Sequence, residues 1–178
     1  FDDRWRAAQR ADDALTIAAL AEDYVLRYPE SPLAPYYRAE ALLIADAPLA
    51  AIELLVTVLE IQPKAPALLW YTLGRAYIDR GGYHEAATVL EAAATMTARG
   101  DDSLRLILDA PVEDLSRRLA KAYLETGRCA EAESIYRRLS SEHEPFDAQI
   151  RAAIVCQTPT PTLTPWIPSQ QVTATPSP

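Results

Sequence analysis

The chain has 178 residues, and its 17 Lys plus Arg against 25 Asp plus Glu leave a formal charge of −8. An acidic total with no basic cluster speaks against a nucleic-acid partner, because such binding rests on many Lys and Arg contacts to phosphates, and no stretch reaches the roughly 20 uninterrupted apolar residues of a membrane-spanning helix. The 49% apolar content is enough for a packed core, and 32 Ala and 22 Leu against five Gly point to helix. There is no Asn, hence no site for an Asn-linked glycan. The first residue is Phe1 rather than an initiator Met, which leaves open a processed mature N-terminus or a trimmed fragment.

In chain order, residues 2–10 (DDRWRAAQR) either lead the first long helix or form its divergent partner. DDALTIAALAEDYVLRYPESP supplies a helix ending at Pro29, with Ile17, Ala21 and Tyr24 inward at spacings of four and three. APYYRAEALLIADAPLAAIELLVTVLEIQP predicts a helical hairpin with Ala51, Leu55 and Val58 inward before Pro63. Its turn at Asp46-Ala47-Pro48 reads as one or two residues shorter than that of the next unit. That unit, ALLWYTLGRAYIDRGGYHEAATVLEAAATM from Ala67, places Trp70, Leu73, Gly74 and Tyr77 on one face, turns at Gly81-Gly82-Tyr83, and continues with Ala86, Leu90 and Ala93. Gly74 inside a helix costs about 1 kcal/mol against Ala, which is tolerable where its bareness lets a partner helix approach, with Ala86 expected opposite. GDDSLRLILDAP at 100–111 lengthens the next connection as a short extra helix or an ordered loop. VEDLSRRLAKAYLETGRCAEAESIYRRLSSEHEP repeats the hairpin, with Leu119, Ala120 and Tyr123 before a turn at Gly127 and Ala132, Tyr136 and Leu139 after it. FDAQIRAAIVC at 146–156 reads as a lone closing helix over the last exposed apolar face.

The unit from Ala67 resembles the tetratricopeptide repeat, whose pattern is Trp, Leu-Gly, Tyr, then Ala, Phe and Pro over about 34 residues. The later unit matches the same template but carries Ser116 where the family prefers Trp. The likeness covers residues 12–156, and the YPESPLAP wording is similar to bacterial extracytoplasmic members of the family. The resemblance implies an all-α, right-handed solenoid of helical hairpins, about three to four units plus the closing helix, over residues 1–156. It also implies a concave groove lined by the first helix of each unit. Reading one turn off the buried stripe, the groove should carry Arg38, Leu42, Tyr71, Arg75, Ile78, Arg117, Lys121 and Leu124. This is either a cationic seat for an extended peptide with aromatic and carboxylate features or an ordinary solvated face. Co-chaperone members clamp a terminal carboxylate with Asn and Lys; without Asn that clamp is incomplete, and no chaperone partner is expected.

Residues 157–178, QTPTPTLTPWIPSQQVTATPSP, hold six of the 14 Pro and no charge. Proline at this density cannot supply the donors of helix or sheet, so the tail should be extended and close to polyproline II. It reads as a flexible linker, as a glycosylated stalk with Thr158, Thr160, Thr162, Thr164, Thr173 and Thr175 as acceptors, or as a docking arm anchored by Trp166 and Ile167. At about 3.1 Å per residue its reach is roughly 65 Å, enough to cross a neighbouring copy or to fold back. Cys129 and Cys156, the only cysteines, are either two unrelated small residues or, in an exported protein, a disulfide across the edge where the closing helix returns.

Chemistry is sparse. GxSxG, GxxxxGK[ST] and GxGxxG are all missing, and His84 and His143 have no metal-ligand spacing around them. Glu142 and Glu144 beside His143 read as a charged loop. The sequence therefore predicts no catalysis, metal or cofactor. The resemblance implies an extracytoplasmic or extracellular bacterial protein that binds protein, and the expectation is that it binds first of all other copies of itself, assembling head to tail into a filament with the tail as docking arm. The competing reading is a monomeric adaptor that takes a partner peptide in the groove.

Overall fold

The structure, a computed structural model, describes residues 1–11, 13–62, 64–107 and 111–142. Within them the chain forms nine helices and no strand: α1 (Asp2–Arg10), α2 (Ala14–Arg27), α3 (Ala34–Ile44), α4 (Pro48–Ile61), α5 (Ala67–Arg80), α6 (Tyr83–Ala98), α7 (Ser103–Ile107), α8 (Pro111–Glu125) and α9 (Cys129–Glu142). Each long helix packs on the next in chain order, with α8 packing on α6 across the short α7. The first helices of successive pairs also touch, α3 on α5 and α5 on α8. The expected closing helix and tail lie outside the described residues. Residues 2–10 form a separate helix packed on α2, and the insertion contributes the short helix α7.

Three helix pairs share one backbone device. Asp46, Gly81 and Gly127 have φ of 54°, 82° and 75°, and the following amide donates five residues back: Ala47 to Leu42 at 2.9 Å, Gly82 to Tyr77 at 2.8 Å and Arg128 to Tyr123 at 2.8 Å. This left-handed cap satisfies orphan carbonyls at the end of the first helix and reverses the chain. Asp46-Ala47-Pro48 is therefore not shortened. It occupies the same positions as Gly81-Gly82-Tyr83, with Asp where glycine serves better.

Counting from this left-handed residue puts the three pairs in common register. Seven residues before it stand Ala39, Gly74 and Ala120, all buried; five after it stand Ala51, Ala86 and Ala132, each fully buried. Small side chains at these positions let the helices of a pair come close. Gly74 meets Leu90 rather than Ala86: a Cβ built on it would lie 2.5 Å from the Leu90 side chain. Leu73, Leu90, Leu119, Tyr123, Tyr136 and Leu139 are buried as the stripe predicts, whereas Trp70 and Tyr77 are half-buried and packed against the core. At the other end Trp5 of α1 stacks edge-on against Tyr37 at 4.7 Å, and Tyr24 packs on Tyr37 at 4.1 Å, so an aromatic cluster joins α1, α2 and α3.

Two helix starts have local causes and a third has a distant one. Asp13 caps α2, its carboxylate accepting the Thr16 amide at 3.1 Å. Pro48 opens α4 at a position that needs no amide. The cap residue of α5 is Pro66, which makes no side-chain cap bond. Its orphan amides are instead taken by the insertion: Ala67 donates to the Asp101 carboxylate at 3.0 Å and Leu68 to the Ser103 hydroxyl at 3.1 Å.

Candidate functional site

The register decides which side chains share the inner row of the first helices. Ten and six residues before the left-handed position stand Tyr36 and Glu40 on α3, Tyr71 and Arg75 on α5, and Arg117 and Lys121 on α8. Arg38 and Leu42 do not belong to that row. The assumed short turn at Asp46 moved the expected α3 positions by two residues, and the structure places Arg38 exposed against α2 and α4.

The row is a chain of internal ion pairs rather than an open cationic groove. The Arg75 guanidinium donates to the carboxylate of Glu40, joining α5 to α3; Glu40 is 2% exposed. Burial by itself would lower the Arg75 pKa, but Glu40 first, together with Tyr71, Tyr36 and Asp79, outweighs it and holds the guanidinium above its ordinary range. Tyr36 lies beside this pair, and burial, reinforced by Glu40, pushes its hydroxyl well above the usual tyrosine value. Tyr71 is buried and donates to Asp114, joining α5 to α8. Arg118 donates both to Asp114 at 2.8 Å and to the Tyr71 hydroxyl at 3.1 Å. Burial would raise Asp114, but the Tyr71 and Arg118 hydrogen bonds hold it below the ordinary carboxylate range. The guanidinium carbons of Arg75 and Arg118 lie 5.9 and 5.8 Å from the Tyr71 ring centre, close enough for cation–π attraction.

Of the other expected groove residues, Ile78 is buried, Leu124 is half-buried, and Arg117 pairs with Glu113 on its own helix. Lys121 remains exposed, its ammonium 6.0 Å from the Tyr83 ring. Glu40, Asp114 and Arg118 were not among the expected site residues. A readable sign existed, since Glu40 and Arg75 are opposite charges at the same repeat position, 35 residues apart. A second network ties α6 to α8 and α9. The Tyr123 hydroxyl donates to Glu91 at 2.9 Å, Arg128 donates to Glu91 at 2.5 Å and Glu131 at 2.9 Å, and the Arg128 guanidinium lies 4.1 Å from the Tyr123 ring. Burial, reinforced by Glu91, raises the Tyr123 hydroxyl to about 12.

A separate cleft of about 500 Å³ opens between the end of α2, residues 29–35 and α4, and Arg38 reaches into it. Cys129 opens α9, half-buried, and carries a disulfide. Cys156, Trp166, Ile167, His143 and the six tail threonines lie outside the described residues. Among the described residues no three His, Cys, Asp or Glu side chains gather as metal ligands would, and no helix is long and apolar enough to cross a membrane. The chain matches no protein-family model and no curated protein sequence.

Proposed function

We propose that the chain is a tetratricopeptide-type, right-handed solenoid and a non-enzymatic structural subunit, exported from a bacterial cell. Its copies join head to tail into a filament, the Thr/Pro tail of one docking on the body of the next and carrying glycans on its threonines. The shared turn register of three helix pairs, with small residues at matching positions, supports the repeat assignment. The observation that carries the assembly reading is how charge and apolar surface are distributed. The inner row spends Arg75, Arg117 and Arg118 on Glu40, Glu113 and Asp114, which weighs against a groove seeking an acidic peptide. Large apolar side chains stay in solvent on α2 and α4, Leu26 at 75% and Ile61 at 74% exposed. An uncharged tail bearing Trp166 and Ile167 suits the second surface better than the first.

A contact between one copy's tail and another's body is heterologous, and a heterologous contact whose rotation does not close into a ring extends as a fibre. Light scattering after size exclusion, with negative-stain imaging, should show elongated assemblies of the full chain. Deletion of 157–178 should reduce them to monomers. Assemblies of unchanged length after the deletion would refute the reading.

A further inference from the structure

We infer that the cleft between α2, residues 29–35 and α4 receives the Trp166-Ile167 segment of a second copy's tail, an inference that rests on the head-to-tail reading above. The apolar part of its wall includes Val25, Pro35, Leu54, Val58 and Ile61. Leu26 lies beside it in an adjoining depression of about 240 Å³ that shares Val25 and Arg38. Ile61 and Leu26, about three-quarters exposed, stand at the rim where an occupant would cover them. Single exposed apolar residues need no explanation, but here they border a concavity large enough for an aromatic ring and its neighbours.

The chemistry of the wall selects the occupant. Among the described residues its charged lining is Glu30 and Arg38, one of each sign, and Gln62 adds an amide. A charge-balanced cleft whose wall is about equally polar and apolar favours an uncharged ligand that brings both backbone carbonyls and bulky side chains. Residues 157–178 are the uncharged stretch of this chain, while all 42 charges fall before them. An extended Pro-rich strand makes no internal hydrogen bonds, so its carbonyls are free to accept from Arg38 and Gln62 while its bulky residues fill the apolar floor. The head-to-tail reading makes the occupant a second copy's tail, and the helix order is compatible with it. Fold-back onto the same chain, which the tail's reach also permits, is separated by the mixing test below. The cleft belongs to α2, α3 and α4, and the tail follows α9, which packs on α8 at the opposite end of the helix order. Docking in trans then repeats the same contact from copy to copy.

The test uses two full-length variants. Ile61→Glu with Leu26→Glu puts charge on the exposed rim, where the substitutions leave the core untouched. Trp166→Ser with Ile167→Ser removes the tail anchor. Each variant alone should be monomeric by light scattering. Mixed at equal concentration they should form a dimer that goes no further, because the intact cleft of one accepts the intact tail of the other. If the rim variant assembles like the original chain while the anchor variant does not, the tail docks elsewhere; the cleft assignment falls and the head-to-tail reading stands. If both variants assemble normally, or the unmodified chain is itself monomeric, the head-to-tail reading falls and this inference with it. Two variants that are monomeric alone and stay monomeric when mixed would overturn docking in trans.

Discussion

The Glu40–Arg75 pair is the residue-scale feature with the clearest energetic consequence. Both groups are taken largely out of water between α3 and α5, so neither tolerates loss of the other. Glu40→Ala strands a buried guanidinium and should destabilise the protein by about 3–5 kcal/mol. Replacing both residues by Met should cost much less, since two apolar chains of similar bulk leave no uncompensated charge. Urea unfolding of the single and double variants measures this directly, and a double variant as unstable as Glu40→Ala would show that the pair is not the cause. On α3 a two-residue misplacement at Asp46 put Arg38 in the place of Tyr36 and Leu42 in that of Glu40, which added a cation to the row and hid its buried carboxylate. On α8 the pairing of Asp114 with Tyr71 and Arg118 lies one step off the expected face.

At the scale of the element, the turns and caps decide where helices end. Asp46 holds a left-handed φ of 54° at a position where the other pairs use glycine. An L-residue with a side chain is disfavoured there, so Asp46→Gly should stabilise by about 0.5–1 kcal/mol, read as a higher urea midpoint with unchanged slope. The start of α5 depends on a segment 34 residues away in sequence, because Asp101 and Ser103 take its first amides. Asp101→Ala should cost about 1 kcal/mol. Burial would raise the Asp101 carboxyl, but its bonds to Ser103 and the Ala67 amide hold it below the ordinary value. A carboxyl depressed in the folded state contributes stability that is complete above the unfolded pKa of about 3.9 and is lost as pH falls through the folded value. Asp101→Asn should therefore flatten part of the loss of stability below about pH 4. Thermal unfolding from pH 2 to 6 tests the sign; an unaltered acid limb would count against it. The sequence marked 100–111 as an insertion, but that it caps another helix follows only from packing.

Across the whole molecule, stability comes from neighbouring helix pairs, and the aromatic cluster of Trp5, Tyr24 and Tyr37 holds the first helix in place. Cys129 carries a disulfide, and a bond to Cys156 remains the proposal for its partner. Such a bond would close a loop of about 27 residues and add on the order of 3 kcal/mol through chain entropy. Reduction should lower the urea midpoint accordingly, and thiol labelling of the denatured, unreduced protein should find no free thiol. Two labelled thiols would exclude the pairing.

What the sequence determined by itself was the helical character and the approximate turns. Leu73, Gly74 and Tyr77, or Leu119, Ala120 and Tyr123, lie three and four apart, and burial of such a stripe needs only local periodicity. Gly81 and Gly127 announce their turns because glycine is at ease at positive φ. At Asp46-Ala47-Pro48 the turn was legible but its register was not, since Asp reaches positive φ without advertising it as glycine does. Tertiary structure alone decided which charges meet. Glu40 finds Arg75 and Tyr71 finds Asp114 across 35 and 43 residues, and pairing between helices depends on their packed register, which the short-range pattern of either helix does not contain. The cleft at α2 and α4 arises in the same way, from the distance left between elements rather than from any single stretch of sequence.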